Sequence, residues 1–361
     1  MSDDTVAAIR EALTHVMDPE IGKDLVSLKM IKGVEFSDGT AKVGVELTTP
    51  ACPLKSKIEE DVRAAVSAVD GVNAVEVDLT AQVRGAAAES SPIPGVRNSI
   101  AIASGKGGVG KSTVSTNIAV ALAAEGASVG LLDCDIYGPS IPRMTGSEHD
   151  RPEADETAFR PLVRHGLSLM SIGYLVPPGE SVVWRGPLIH KAVQQFLTEV
   201  AWGELDYLII DLPPGTGDAQ LSLTQTIPLT GAVMVTTPQE ISLIDVRRGA
   251  AMFDKVKVPI LGVVENMSGF ACPHCDEVSD IFARGGGQRV AREMNVPFLG
   301  EVPIDPAVRV GGDDGIPSVV SHPDSASTKA FTQVARSLAG RVSQMNVSGG
   351  VSFGQSLPVI K

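Results

Sequence analysis

The sequence predicts an α/β fold, with a mainly parallel sheet flanked by helices and a small α+β domain ahead of it. Three observations carry that expectation. From Ile100 onward, runs that are apolar throughout recur (SIAIAS, SVGLLD, DYLIID, GAVMVTT, PILGVVEN), with helical stretches such as STVSTNIAVALAAEG between them. Strands without alternation are covered on both faces, as in a parallel sheet wound with helices. Before residue 85 the strands alternate instead. Hydrophobic residues make up 43% of the chain and aromatics 4%, so the core must be built of Ala, Val, Leu and Ile.

In chain order, VAAIREALTHVM spaces its apolar residues as one helix face, and Asp18-Pro19 is expected to end that helix. GTAKVGVELTT alternates as a half-buried strand does. SKIEEDVRAAVSAVDGV reads as a second amphipathic helix closed by Gly71, and NAVEVDLTAQV as another strand. These form a small α+β domain at 1–85. AAAESSPIPGVRN is rich in small residues, serine and proline, which puts a linker at 86–97. The large domain is expected at 98–345. The Gly/Ser-rich end reads as a flexible tail, 346–361.

The net charge of −13 repels phosphate backbones and anionic lipid, so neither nucleic acid nor a membrane is expected as a partner. Four cysteines are too few for a disulfide framework. The MSDDT start does not read as a signal peptide. No apolar run approaches the ~18 residues of a membrane span. The expected location is cytoplasmic.

SIAIAS runs into GKGGVGKST and then a helix. Gly105, Gly110, Lys111 and Ser112 fit G-x-x-x-x-G-K-[ST] in its strand–loop–helix setting, the mark of a P-loop NTPase. The stretch Gly105, Lys106, Gly107, Gly108, Val109, Gly110, Lys111, Ser112, Thr113 is expected to cradle the phosphates of ATP with backbone N–H groups. The helix N-terminus adds partial positive charge. Lys111 should reach the β- and γ-phosphates, and Ser112 should hold Mg²⁺. Asp211 ends the strand of LDYLIIDLPPGTGD, where a carboxylate can contact the magnesium shell. Gly215 and Gly217 free the loop after it. Asp133 and Asp135, in LLDCDIYGPS, stand where a carboxylate can orient an attacking water, with turn or helix capping as the rival role.

Cys272-Pro-His-Cys275 places two sulfurs on one side of a turn. The spacing admits half a zinc site, a redox dithiol or half an iron–sulfur site. The dithiol fits worse, because these cysteines follow a strand rather than open a helix. A zinc or four-iron site usually takes four protein ligands. One chain offers two here, with His274 as a possible third, whereas a dimer offers four thiolates. Cys134, between two aspartates, reads as a small packed residue.

The GKGGVGKS loop, with Lys106 after its first glycine, resembles that of the MinD/ParA/nitrogenase-iron-protein group. That resemblance implies a homodimer closed around two ATP molecules, with Lys106 reaching the partner's nucleotide. It also implies that Asp135 orients the water, Asp133 responds to magnesium, and Asn266 of VVENMS contacts adenine. From about 97 to 340, GKGGVGKS, DCDIYGPS, VVWRGP, DYLIIDLPPGTGD, TTPQEISLIDVRRG, ENMSGFACPHC and GGGQRVA look like the Mrp/ApbC-type iron–sulfur cluster carrier ATPases, in family order. This implies ATP binding and hydrolysis, and a cluster of the 4Fe-4S kind held by Cys272 and Cys275 of two subunits and passed to apo iron–sulfur proteins.

VMDPEIGKDLVSLKMIKGVEF and LTTPACPLK resemble the small iron–sulfur-assembly domain often fused to these carriers. Cys52 matches its single cysteine, and contact with a cluster in transit and a buried structural thiol both stand open. AQVRGAAAES departs from the Trp- and Pro-containing segment that often ends that domain. Two rival functions remain. One is a MinD/ParA-like positioning ATPase, which would need a basic face or an amphipathic tail. The other is a zinc-stapled regulatory ATPase.

Overall fold

A computed structural model describes residues 2–85, 93–136, 138–154, 158–175, 186–272, 275 and 277–348. His274, VVWR of the VVWRGP motif, linker residues 86–92 and the tail from 349 lie outside the described residues.

The chain divides into two compact units. The first takes the chain up to Arg84 together with the end of the final helix from Ala339, and the second takes Gly85–Leu338. The small unit contains α1 (Ser2–Leu13), β1 (Met17–Asp18), β2 (Lys23–Asp24), β3 (Ile31–Ser37), β4 (Thr40–Leu47), α2 (Lys55–Ser67) and β5 (Ala74–Ala81). Strand β4 is central, antiparallel to β3 and parallel to β5. Its alternation buries Ala41, Val43, Val45 and Leu47 on one face. They share a core with Ile58, Val62 and Val66 of α2, spaced one helical turn apart, and with Ile9 and Leu13 of α1.

Helix α1 stops at Leu13, short of the expected Asp18-Pro19. The amides of Thr14, His15 and Val16 reach back only three residues, tightening the last turn. Asp18 shapes a later turn, its carboxylate accepting the Glu20 and Ile21 amides at 2.9 Å. Helix α2 likewise stops at Ser67, before Gly71.

The large unit runs β6 (Val96–Ser104), α3 (Lys111–Ala124), β7 (Val129–Asp133), α4 (Ile141–Met144), β8 (Leu162–Arg164), β9 (Leu167–Ser171), α5 (Gly186–Thr198), β10 (Leu205–Asp211), α6 (Asp218–Thr226), β11 (Gly231–Thr236), α7 (Glu240–Lys255), β12 (Ile260–Ala271), β13 (Val278–Ser279), α8 (Gly286–Glu293), β14 (Phe298–Ile304), α9 (Pro306–Asp314), α10 (Ser318–Ser321) and α11 (Ala326–Val347). The sheet order is β13-β12-β11-β6-β10-β7-β9-β8, with β14 also on β12. The strands from β12 to β9 pair parallel, as does β14, whereas β13 and β8 pair antiparallel.

Two boundaries differ from the sequence reading. Val96 and Arg97, assigned to the linker, open β6, and Asn346 and Val347, assigned to the tail, end α11. Strands β8, β9, β13 and β14 join the five apolar runs.

All of β10 is buried, side chains on both faces. Helix α3 is buried nearly all round, including Ser115, Thr116 and Asn117, because sheet strands, α4 and α10 pack about it. Asp211 pairs in register with Asp133 of β7 and Ile102 of β6. Two carboxylates therefore stand side by side at the carboxyl ends of adjacent parallel strands, where open α/β sheets bind ligands. No helix among the described residues is long and apolar enough to cross a membrane.

Candidate functional site

The loop between β6 and α3 folds as its glycines require. Gly108 and Gly110 both have φ of +80°, a left-handed conformation that side chains rarely adopt. Gly110 caps α3, and a β-carbon there would meet the Asn266 amide nitrogen at 2.2 Å. Gly105 has another reason to be glycine. Helix α7 passes so close that a β-carbon would lie 2.3 Å from the carbonyl carbon of Asp245.

Inside the loop, Lys111 is 5% exposed and its ammonium donates to Asp211 Oδ2 at 2.7 Å. A second carboxylate, Asp135, is 3.6 Å away. Burial opposes the lysine charge, yet Asp211, Asp135 and Asp133 hold its pKa above the ordinary lysine value. Ser112 donates to the same Asp211 oxygen at 2.6 Å, and Ser115, one turn further along α3, donates to the other at 2.5 Å. Asp133 is fully buried and accepts from the Asp135 amide (3.0 Å), Ser171 Oγ (2.9 Å) and the Ile141 amide (3.4 Å). Burial and then the charge of Asp211 push its carboxyl up to about 7.

Of these groups Lys111, Ser112 and Asp135 border a cavity of about 220 Å³, lined also by Lys106, Gly107 and Gly108 among others, with Asp211 and Asp133 buried behind them. A neighbouring cavity of about 420 Å³ shares Gly110, Thr113, Ser140 and Met144 with it and adds Asn266. The Asn266 amide also donates to the Val109 carbonyl at 2.9 Å, fastening β12 to the phosphate loop. The structure thus brings Gly105 through Thr113, Asp133, Asp135, Asp211 and Asn266 into one region of the large unit.

Cys272 follows directly on β12, and β13 pairs back antiparallel, Phe270 with Ser279 and Ala271 with Val278. Cys272 and Cys275 therefore lie in the connection between the two arms of a hairpin. The Cys275 amide donates to the Cys272 carbonyl at 3.4 Å, and the Cys272 amide to Glu277 O at 3.0 Å. Cys272 is half-buried and Cys275 exposed. Among the described residues no group of three or more His, Cys, Asp or Glu could hold a metal ion. Cys134 is fully buried, and burial raises its thiol pKa well above the ordinary value, so it is an inert packed residue. In the small unit Cys52 borders the core, and burial pushes its thiol up to about 11.

Three residues escape the sequence reading. Ser115 lies at i+4 from Lys111, on the same helix face. Ser171 lies on β9, which no apolar run announced. Glu265 is a fully buried carboxylate in the apolar run of β12, a signal in itself. Its oxygens accept from Ser268 Oγ at 2.6 Å and from the Gly285 and Gly287 amides at the start of α8.

This fold and site define a nucleotide-binding P-loop NTPase. A family model described as NUBPL iron-transfer P-loop NTPase matches residues 95–339, and one described as iron–sulfur cluster assembly protein matches residues 6–79. The chain belongs to the first family across its large unit and carries the second domain before it. An iron–sulfur cluster carrier protein of Deinococcus radiodurans is 51% identical over 354 residues, covering 98% of this chain and 99% of its own. Its namesake from Escherichia coli strain K12 is 42% identical over 352 residues, covering 96% of this chain and 95% of its own. Among solved structures, a nucleotide-binding protein of Archaeoglobus fulgidus in complex with ADP is 42% identical, with a TM-score of 0.56 over 62% of this chain and 88% of its own. The cell-division ATPase MinD of Pyrococcus furiosus is 26% identical, with a TM-score of 0.52 over 66% of this chain and 97% of its own.

Proposed function

We propose that this chain is a cytoplasmic iron–sulfur cluster carrier, holding its cargo between the Cys272 and Cys275 thiolates of two copies and driven by ATP binding and hydrolysis. The observation that carries this is the hairpin connection, where two thiols stand beyond a strand fastened at Asn266 to the phosphate loop. One chain provides two thiolates there, and a second copy supplies the remaining two of a four-thiolate set. A homodimer meets that count, a cluster of the four-iron kind is the cargo that the carrier family implies, and apo iron–sulfur proteins are the recipients.

Lys111 neutralises the β- and γ-phosphates, a role suited to a lysine that its carboxylates keep charged. The Ser112 hydroxyl and Asp211 carboxylate are hard oxygen donors of the kind Mg²⁺ takes, with Asp133 beside them. When bound, that ion supplies charge neutralisation between the phosphates. Asp135 lines the phosphate cavity and orients the attacking water. Lys106 lines it too and is the residue assigned to the partner's nucleotide.

The test is anaerobic reconstitution with iron and sulfide, followed by visible absorption and analysis of iron, sulfide and zinc per dimer. The wild type should gain a cluster spectrum, and Cys272→Ser/Cys275→Ser should stay colourless. Stoichiometric zinc without sulfide would overturn the reading.

A further inference from the structure

The larger cavity is walled from two directions by one hairpin. Asn266 and Met267 reach it from the outgoing arm, the β12 strand that ends before Cys272. Phe282 reaches it from the return arm, beyond Cys275 and β13. The remaining wall includes Pro303 and Ile304 from the end of β14. The cavity shares Gly110, Thr113, Ser140 and Met144 with the phosphate cavity and so lies directly beside it.

The two arms are anchored at their feet. The Glu265 carboxylate accepts the Gly285 amide at 2.9 Å, closing the loop on itself. Ser268 donates to Glu301 Oε2 at 2.9 Å, and Arg284 pairs with the same carboxylate. Between those feet the outgoing arm is distorted. Met267 has φ of +59° and Gly269 +71°, and the pairing with β14 shifts register between Asn266 and Phe270. A left-handed methionine inside a strand is strained and persists only where its surroundings impose it. Phe282 itself is 39% exposed, a large aromatic offered to the cavity rather than packed into the core.

We infer that Phe282 and Met267 contact the nucleoside of the bound nucleotide and, lying on both arms of the cysteine hairpin, couple nucleotide binding to cargo binding. This rests on the carrier reading above and specifies how its two sites communicate. A base seated between the arms fixes their separation, and a cluster bound in their connection fixes the same arms from the other end. Each ligand therefore changes the affinity of the other by the same factor, as linkage requires.

The experiment measures Mg-ADP affinity by calorimetry on full-length protein, empty and cluster-loaded, with inorganic triphosphate as a probe that enters only the phosphate cavity. In the wild type, loading should change Mg-ADP affinity by about fivefold or more, the lower end of ordinary coupling, and leave triphosphate affinity unchanged. In Phe282→Ala the Mg-ADP ratio should fall to within about twofold, again with triphosphate unaffected, and Phe282→Tyr should restore it. Equal Mg-ADP affinity in loaded and empty wild type overturns the coupling. So does a Phe282→Ala protein that keeps the full ratio. Absence of nucleotide binding altogether, or of a reconstituted cluster, overturns the carrier reading and this inference with it.

Discussion

The side-chain amide of Asn266 donates to the backbone carbonyl of Val109 at 2.9 Å, across 157 residues of chain. That bond ties the strand leading to the cysteines to the loop that takes the phosphates. A buried hydrogen bond of this kind contributes about 1 kcal/mol, and its loss leaves the Val109 carbonyl unsatisfied. Asn266→Ala should weaken Mg-ADP binding by roughly five- to tenfold on those grounds. Calorimetry on the purified variant reads the effect directly, and an unchanged affinity would remove Asn266 from the site.

Asp211 has three donors on its two oxygens, Lys111, Ser112 and Ser115. Asp211→Asn keeps the shape but removes the charge that balances Lys111. Steady-state ATP hydrolysis should drop on the order of a hundredfold, the scale of losing a preorganised electrostatic contact. Ser115→Ala removes one donor and should cost about 1 kcal/mol of stability while sparing most of the rate. Equal losses in the two variants would contradict this division of labour.

Gly105 has no room for a methyl group beside Asp245. Gly105→Ala must displace α7 or the loop, at about 1–3 kcal/mol of overpacking. Thermal unfolding should therefore shift down by several degrees, and the onset of ATP binding should weaken with it. A variant as stable as the wild type would show that α7 yields freely there.

Glu20 carries a pH dependence whose sign follows from its surroundings. Burial and then the charge of Asp18 raise its pKa from the ordinary 4.5 to about 7. The folded chain thus holds a proton that the unfolded chain has released between those values. Stability must fall as pH rises from about 4.5 to 7 and level off above. The group is only partly buried, so the effect is discounted for solvent screening to on the order of 1 kcal/mol. Glu20→Gln should flatten that part of the curve and gain a similar amount at pH 8, measured by urea unfolding followed over a pH series.

Much of this site was legible because its chemistry imposes fixed spacings. Lys111 and Ser112 follow Gly110 without freedom, and Asp211 must end a strand to stand beside them. The C-x-x-C was legible for the same reason. The hairpin under it was not, because β13 is two residues long with both side chains exposed, so no burial pattern marks it. Phe282 was missed because it lies outside any strand or helix, in a return arm defined by pairing rather than by composition. Ser171 was missed because β9 mixes polar and apolar residues. The helix ends were misplaced where Asp18-Pro19 and Gly71 serve turns beyond the helix, turns closed by local hydrogen bonds two or three residues apart.

Helix α11 has a consequence for how the chain is made. From Ala339 it belongs to the small unit, where Gly340 abuts the Glu20 carboxylate, Ser343 donates to Thr48 at 2.6 Å and Val347 packs against the core. A ribosome adds about 5–20 residues per second, so the first domain waits roughly tens of seconds for its last wall. Throughout that interval the small unit lacks a partner that only the synthesis of residues 339–347 supplies. The small unit begins before the large one and is completed only after it.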